Sequence, residues 1–210
     1  MARNPKPKGD RYYDRTAAIY NRKREKQSWW HVEHQQMREL LAKLPTGLRV
    51  VDIPFGTGRF VPLYLEREFK ITGLEISPDM VAAAAVALGD DFAACDAKIG
   101  SAMETPFKDG EFDLVVSTRF LSNIVTYIDA RRALAEFARI TSRYGIIQLG
   151  HRTEDTRIPR RRETMDTCMS RDDVDAMLRA NGLEPIERRL VLETPETGGE
   201  MHHILCEVIT

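Results

Sequence analysis

An α/β fold, a doubly wound seven-stranded sheet with an antiparallel last strand, is predicted by three observations. Apolar strand-like runs alternate with helical patterns along most of the chain. Helix-start signals recur directly after strand ends. The first strand runs into an acid and a glycine-bearing turn, Val50-Val51-Asp52-Ile53-Pro54-Phe55-Gly56-Thr57-Gly58-Arg59-Phe60. A chain of 210 residues can bury one sizeable core. The expectation is therefore a single domain over residues 1–210, with an N-terminal helical cap over 1–46 and a lid inserted after the fifth strand over 151–169.

Leu48 to Ile53 reads as the first strand and Arg59 to Phe69 as the helix after it. Lys70 to Glu75 is the second strand. Ser77-Pro78-Asp79-Met80 then opens a helix with an N-cap serine, proline at the first helical position and an early acid. The alanine-rich run Val81 to Leu88 carries that helix to Gly89, where a glycine stop is expected. Ala97 to Ser101 is a short third strand, and Phe112 to Ser117 a fourth. Tyr127 to Ser142 places Ile128, Ala133, Leu134, Phe137, Ala138 and Ile140 at helical spacing, which predicts a helix packed on the sheet. Gly145 to Gly150 is the fifth strand. Ser170 to Ala180 repeats the capping logic, with Asp172 and Asp173 in the first turn and Asn181-Gly182 at the stop. Glu184 to Glu193 and Met201 to Ile209 pair antiparallel across a turn from Pro195 to Glu200.

Composition narrows the function classes. A formal net charge of −1 argues against a general nucleic-acid binder. The three cysteines, Cys95, Cys168 and Cys206, are widely spaced and odd in number, as in a reduced cytoplasmic protein rather than a disulfide scaffold. Met1 to Gly9 is basic but lacks an apolar core for a signal peptide, and no apolar run is long enough to span a bilayer. The reading is a soluble, cytoplasmic protein with no membrane partner and an open oligomeric state.

The turn after the first strand carries the chemistry. A strand that stops at a tight turn and feeds a helix presents backbone N–H groups and a carboxylate together, and glycines let a ligand approach the main chain. Asp52 would repel phosphate and suits a ligand with an ammonium or sulfonium charge. There is no G-x-x-x-x-G-K-[ST] phosphate loop, and Gly56-x-Gly58 is only a fragment of G-x-G-x-x-G.

These residues resemble motif I of the class I S-adenosylmethionine-dependent methyltransferases, and the features downstream resemble the small-molecule branch that includes ubiquinone and menaquinone methylating enzymes. Where the family most often has its first glycine this chain has Pro54, and where a cysteine is common it has Phe55. Proline removes an N–H donor and pushes Ile53 toward an extended conformation. The resemblance implies a Rossmann-like fold, S-adenosyl-L-methionine as cofactor, and cofactor contacts just after each strand. Asp52, Pro54, Phe55, Gly56 and Gly58 form the first set. Glu75, about 20 residues on, accepts from the ribose hydroxyls, with Ile76 beside it. Gly100-Ser101-Ala102-Met103-Glu104-Thr105-Pro106-Phe107 resembles the adenine-binding segment, with Ser101 in place of the usual acid, the Ala102 N–H next, and Met103 against the ring; Asp96 is its rival. Asp113 lies in an F-D-L-V strand and reads as structural, while Ser117, Thr118, Arg119 and Phe120 lie beyond it in the loop that flanks the methionine part, with Arg119 read as a contact to the methionine carboxylate, as a grip on an acidic substrate or as a surface arginine. Ser122-Asn123 stands where many relatives carry a histidine. Tyr13 and Tyr20 lie in a segment that resembles the lead helix covering the cofactor, and share a helix face.

Outside these motifs, Arg22 to Lys26 with Trp29-Trp30-His31 makes a basic and aromatic run, read as a solvated helix face with packing tryptophans or as a nucleic-acid surface. Arg157 to Arg162 lies in the lid segment and suits an anionic group or simply water. His151 ends the fifth strand and is the candidate polar substrate contact or base. His202, His203 and Cys206 do not make a metal site, because His203 points to the opposite strand face from the other two. The resulting expectation is methyl transfer to a small-molecule nucleophile at oxygen, nitrogen or carbon, with the arginines suggesting an anionic one. The alternatives are a protein that binds or cleaves the cofactor without methyl transfer, and an RNA-binding module on the same scaffold. The chain has no N-P-P-Y or D-P-P-Y segment, which argues against methylation of adenine amino groups.

Overall fold

The computed structural model describes residues 24–121, 127–152, 169–194 and 198–209. Its strands are β1 (Arg49–Asp52), β2 (Lys70–Glu75), β3 (Cys95–Ile99), β4 (Phe112–Ser117), β5 (Thr141–Arg152), β6 (Leu183–Thr194) and β7 (Gly199–Val208). They form one sheet in the order β3-β2-β1-β4-β5-β7-β6. Strands β1 to β5 pair parallel, and β7 inserts antiparallel between β5 and β6. The expected architecture is thus present, including the reversed last strand.

Among the described residues five α-helices flank the sheet: α1 (Ser28–Leu41), α2 (Val61–Glu66), α3 (Pro78–Leu88), α4 (Tyr127–Ile140) and α5 (Arg171–Arg179). The strands read as nearly continuous apolar runs because both faces are covered. Adjacent residues go to opposite layers: Val50, Leu114, Ile146 and Leu205 pack with α1, α2 and α3. Val51, Val115, Ile147 and Ile204 pack with α4 and α5. No helix among the described residues is long and apolar enough to cross a membrane.

Local signals explain most element ends. Ser77 accepts a hydrogen bond from the Met80 N–H to cap α3, and Gly89 closes it at φ 57°. Ser170 and Asp173 form a reciprocal capping box at α5. Four expectations are corrected. Helix α2 is shorter than Arg59 to Phe69, because Gly58 at φ 66° and Pro62 fix its start and Glu68 at φ 59° turns the chain into β2. Strand β3 begins two residues before Ala97, with Cys95 paired to Ile71, and this leaves Ser101 in a small bridge with Glu104. Strand β5 starts at Thr141 rather than Gly145, where Ser142 Oγ donates to the Phe112 carbonyl at 3.0 Å. Ile128 is 71% exposed, so the buried stripe of α4 runs instead through Ala130, Ala133, Leu134, Phe137 and Ile140.

One polar anchor holds the loop after β3 to α4. Glu136 accepts from the Thr105 N–H at 2.8 Å and hydroxyl at 2.9 Å, and from Arg139, which also binds Asp109 at 2.7 Å. The Arg139 guanidinium, helped by the Thr105 donors, holds the Glu136 carboxyl down at about 2, against an ordinary value of 4.5. The stabilisation is therefore complete above about pH 4.5 and is lost as pH falls toward about 2. Discounted for its partly solvated site, it is worth about 2 kcal/mol. Glu136→Gln lowers neutral-pH stability by that order and flattens the pH dependence across this window; urea titrations at stepped pH measure both.

Candidate functional site

The chain runs from β1 out to β2 and β3, then crosses back to β4, so the carboxyl ends of β1 and β4 diverge and leave a crevice. The loop after β1 lines it. The Ile53–Pro54 peptide is cis, and Gly56 and Gly58 sit at φ 57° and 66°. The Phe55 N–H donates to the Leu74 carbonyl at 2.9 Å. Glu75 then ties the loop to β2: one carboxylate oxygen accepts from the Gly56 N–H at 2.9 Å and the other from the Ser77 N–H at 3.0 Å. The Phe55 ring lies on Gly73, where a Cβ would come within 2.4 Å of it. Any side chain at 73 would push Phe55 off its seat.

Asp52 is buried, and its carboxylate accepts from the Tyr64 hydroxyl at 3.1 Å. Burial drives the Asp52 carboxyl well above the ordinary carboxylate range, with Tyr64 opposing and the neighbouring Glu75 adding to the rise. Burial also raises Glu75, against the N–H groups of Ser77, Gly56 and Ile76. Two desolvated carboxylates beside one crevice are relieved by a proton or by a bound cation.

The opposite wall is cationic and is held from behind by α1. Glu33 is fully buried and receives Arg119 Nε at 2.8 Å, together with Arg59 and Gln148. Burial alone would raise the Glu33 carboxyl, but Arg119 and Arg59 outweigh it and hold it below its ordinary value. Arg119 has φ 56°, its N–H donates to Gln148 Oε1 at 2.8 Å, and its guanidinium lies 3.7 Å from the Trp29 ring centroid. Arg59 stacks on Trp30 at 3.4 Å. Arg119 Nη2 is buried with no hydrogen-bond partner among the described residues.

The resulting pocket is open to solvent, and the space between its walls, open solvent included, is about 800 Å³. Of the residues singled out in the sequence, Asp52, Pro54, Phe55, Gly56, Glu75, Ile76, Thr118 and Arg119 line it. Gly58 lies behind the loop, packed against Leu88, Phe55 and Val61. Ser101, Ala102 and Met103 do not line it. The Ser101 hydroxyl accepts from the Met103 N–H at 3.2 Å, and Ala102 and Met103 pack against the α4 side of the core. Asp96 is exposed on β3 and pairs with Lys98 at 3.1 Å. Asp113 is structural, gripping Arg49 through both oxygens at 2.9 and 3.0 Å. Phe120, at the mouth of the sheet, lines it too, and so do Trp30, Thr57, Arg59, Phe60 and Met80, which were not singled out as site residues. Tyr13, Tyr20, Ser122-Asn123, Cys168 and the Arg157 to Arg162 cluster lie outside the described residues, as does most of the 151–169 lid segment.

Residues 51–149, which span this loop and strands β1 to β4 with most of β5, match the methyltransferase domain family. Over this stretch the chain is similar to methyltransferases. An uncharacterized methyltransferase of Mycobacterium tuberculosis (strain ATCC 25618 / H37Rv) is 26% identical over 156 residues, 74% of this chain and 56% of that protein. The chain thus spans little more than half the length of the curated relatives it matches. Solved structures share the fold. Magnesium protoporphyrin IX methyltransferase from Synechocystis PCC 6803, with bound SAM, superposes with TM-score 0.71 at 15% identity, covering 99% of this chain and 100% of that one. The 1,6-didemethyltoxoflavin-N1-methyltransferase of Burkholderia thailandensis gives 0.68 at 16%, covering 100% and 93%. The [4+2]-cyclase SpnF gives 0.75 at 15%, covering 98% of each.

His151 stands apart from this pocket, at the carboxyl end of β5. Its ring stacks on that of His202 with centroids 5.0 Å apart, and Glu200 Oε2 lies 3.6 Å from its Nε2. Burial lowers the His151 imidazole, with Glu200 opposing. His203 points to the other face, where its Nε2 meets the Glu33 carbonyl at 3.2 Å, as strand alternation requires.

Proposed function

We propose that this chain is a methyltransferase that uses the pocket at the ends of β1, β2 and β4 to transfer a methyl group from S-adenosylmethionine to a small-molecule acceptor. The observation that carries the reading is that one pocket holds both signs of charge: the buried carboxylates Asp52 and Glu75 at the ends of β1 and β2, and, beyond β4, Arg119 with its Nη2 unpartnered among the described residues. A zwitterionic, cationic cofactor suits both. Bound there, it supplies a methyl group already made electrophilic by the sulfonium. Asp52 places negative charge toward that end, Glu75 keeps oxygen lone pairs for hydroxyls while fixing the loop, and Arg119 offers a guanidinium fork for a carboxylate. Phe55, Phe60 and Trp30 exclude water, and Pro54, Gly56, Ile76 and Thr118 shape the cleft. Gly58 acts behind it by keeping the turn compact. Ser101, Ala102 and Met103, which lie outside the lining of the pocket, are proposed for the adenine end. Tyr13 and Tyr20 are proposed to cover the site.

On the acceptor side we assign His151 as the polar contact. In-line displacement needs alignment and exclusion of water more than a dedicated base, so acceptor oxygen, nitrogen and carbon all remain compatible. A cofactor-dependent reaction other than methyl transfer is the second reading, favoured by the likeness in fold to a protein named as a cyclase. Calorimetry with S-adenosylmethionine tests the shared part: wild type binds, and Asp52→Asn binds at least tenfold more weakly. Absence of binding, or equal binding by both, overturns it. Release of S-adenosylhomocysteine on incubation with candidate acceptors then separates methyl transfer from the second reading.

A further inference from the structure

We infer that His151, Glu200 and His202 form a three-ligand site for a divalent transition-metal ion of the zinc, cobalt or iron(II) type. The inference goes beyond methyl transfer and does not depend on it. Strand register alone assembles the group. His151 and Glu200 are directly opposed in the antiparallel β5–β7 ladder, and His202, two residues along β7, shares their face. Sequence spacing within β7 does not reveal this set, because one of its imidazoles comes from β5.

Geometry and burial both favour an ion. His151 is 5% exposed and His202 9%. Their Nε2 atoms lie 3.6 and 3.5 Å from the same oxygen, Glu200 Oε2, and one donor atom from each residue falls within 4.8 Å of the others. Those separations are long for N–H···O hydrogen bonds, which cluster near 2.9–3.0 Å. They are close to the roughly 3.4 Å that separates ligands held about 2.1 Å from a tetrahedral centre. At those separations neither Nε2 is hydrogen-bonded to Glu200, and an ion between the three gives both buried imidazoles a partner.

The ligand set indicates the class of metal and of a further ligand. Two imidazoles and one carboxylate suit borderline ions rather than magnesium or calcium, and three protein ligands leave at least one position open. Arg188, ion-paired with Asp175, and Arg171 at the start of α5 place positive charge toward both histidines. An anionic oxygen donor therefore fits the open position. His151 would then touch an acceptor through the ion rather than as a free base.

Equilibrium dialysis of the full chain without cofactor against zinc, cobalt(II) and magnesium, with retained metal measured by mass spectrometry, tests the site. The expected result is one zinc or cobalt per chain, little magnesium, a visible cobalt spectrum of low coordination number, and a zinc-dependent rise in melting temperature. Glu200→Gln and His202→Asn each weaken zinc binding by roughly tenfold or more. Glu200 is partly exposed, so Glu200→Gln decides the matter if His202→Asn does not fold. No zinc retained by wild type, zinc retained unchanged by Glu200→Gln, or magnesium retained as well as zinc would each overturn the proposal. S-adenosylmethionine titrations of the same samples report on the other pocket, so the two readings fail separately.

Discussion

Glu33→Ala lowers stability by about 3–5 kcal/mol and weakens S-adenosylmethionine binding with it. The size follows from what is left behind. Glu33 is fully buried, while Arg59 and Arg119 are only 12% and 19% exposed in their side chains. Removing the carboxylate strands two guanidinium groups in a desolvated site, with Gln148 also losing its acceptor. The replacement of all these polar groups by apolar ones is a different experiment and would cost far less. Arg119 is also released from the orientation in which it lines the pocket, so affinity falls although residue 33 is not a pocket residue. Because the Glu33 carboxyl is held below its ordinary value, this stabilisation is present at neutral pH and fades only as pH falls through the lowered value. Urea denaturation and calorimetry measure the two effects. A stability loss under about 1 kcal/mol would mean that the arginines reach water on their own.

This residue also marks where the sequence stopped being legible. Strand ends announced Asp52, Glu75 and Arg119, because in a doubly wound sheet the ligand edge is the carboxyl edge and apolar runs show where each strand stops. Helices α3 and α5 were readable from serine caps and first-turn acids, which act within one turn. Strand β3 slipped by two residues because Cys95–Ile99 is a half-exposed edge with no apolar period to fix register. The start of β5 was hidden because Thr141 to Tyr144 prolongs the helical pattern of α4 in composition while pairing with Phe112 and Leu114 in space. The cationic wall required contacts between α1, the loop after β1 and the end of β4, which no local rule joins. One signal was available: Trp30, Glu33, Met37, Leu40 and Leu41 make a single buried stripe of α1. A lone carboxylate on an apolar helix face calls for buried cations elsewhere in the chain.

Glu75→Gln and Asp52→Asn should divide what the two carboxylates do, although each removes one negative charge from the same pocket. Both Glu75 oxygens already accept from main-chain donors, Gly56 N–H and Ser77 N–H. A glutamine presents one oxygen and one NH₂, so one of those N–H groups must face another donor. Hydrogen bonds to a charged acceptor are worth about 1.5–3 kcal/mol each, and the variant is expected to lose about 2 kcal/mol of stability and at least a hundredfold in S-adenosylmethionine affinity. Among the described residues the Asp52 carboxylate accepts a single hydrogen bond, from the Tyr64 hydroxyl, and asparagine can accept it equally well. Its carboxyl is raised by burial, so the ionised form weakens the fold at neutral pH, and Asp52→Asn keeps or gains stability while losing affinity. Thermal melts paired with calorimetry read both axes. If Glu75→Gln kept its stability, the seating of Phe55 on Gly73 would be what holds the loop, and the Glu75 carboxylate would serve the ligand alone.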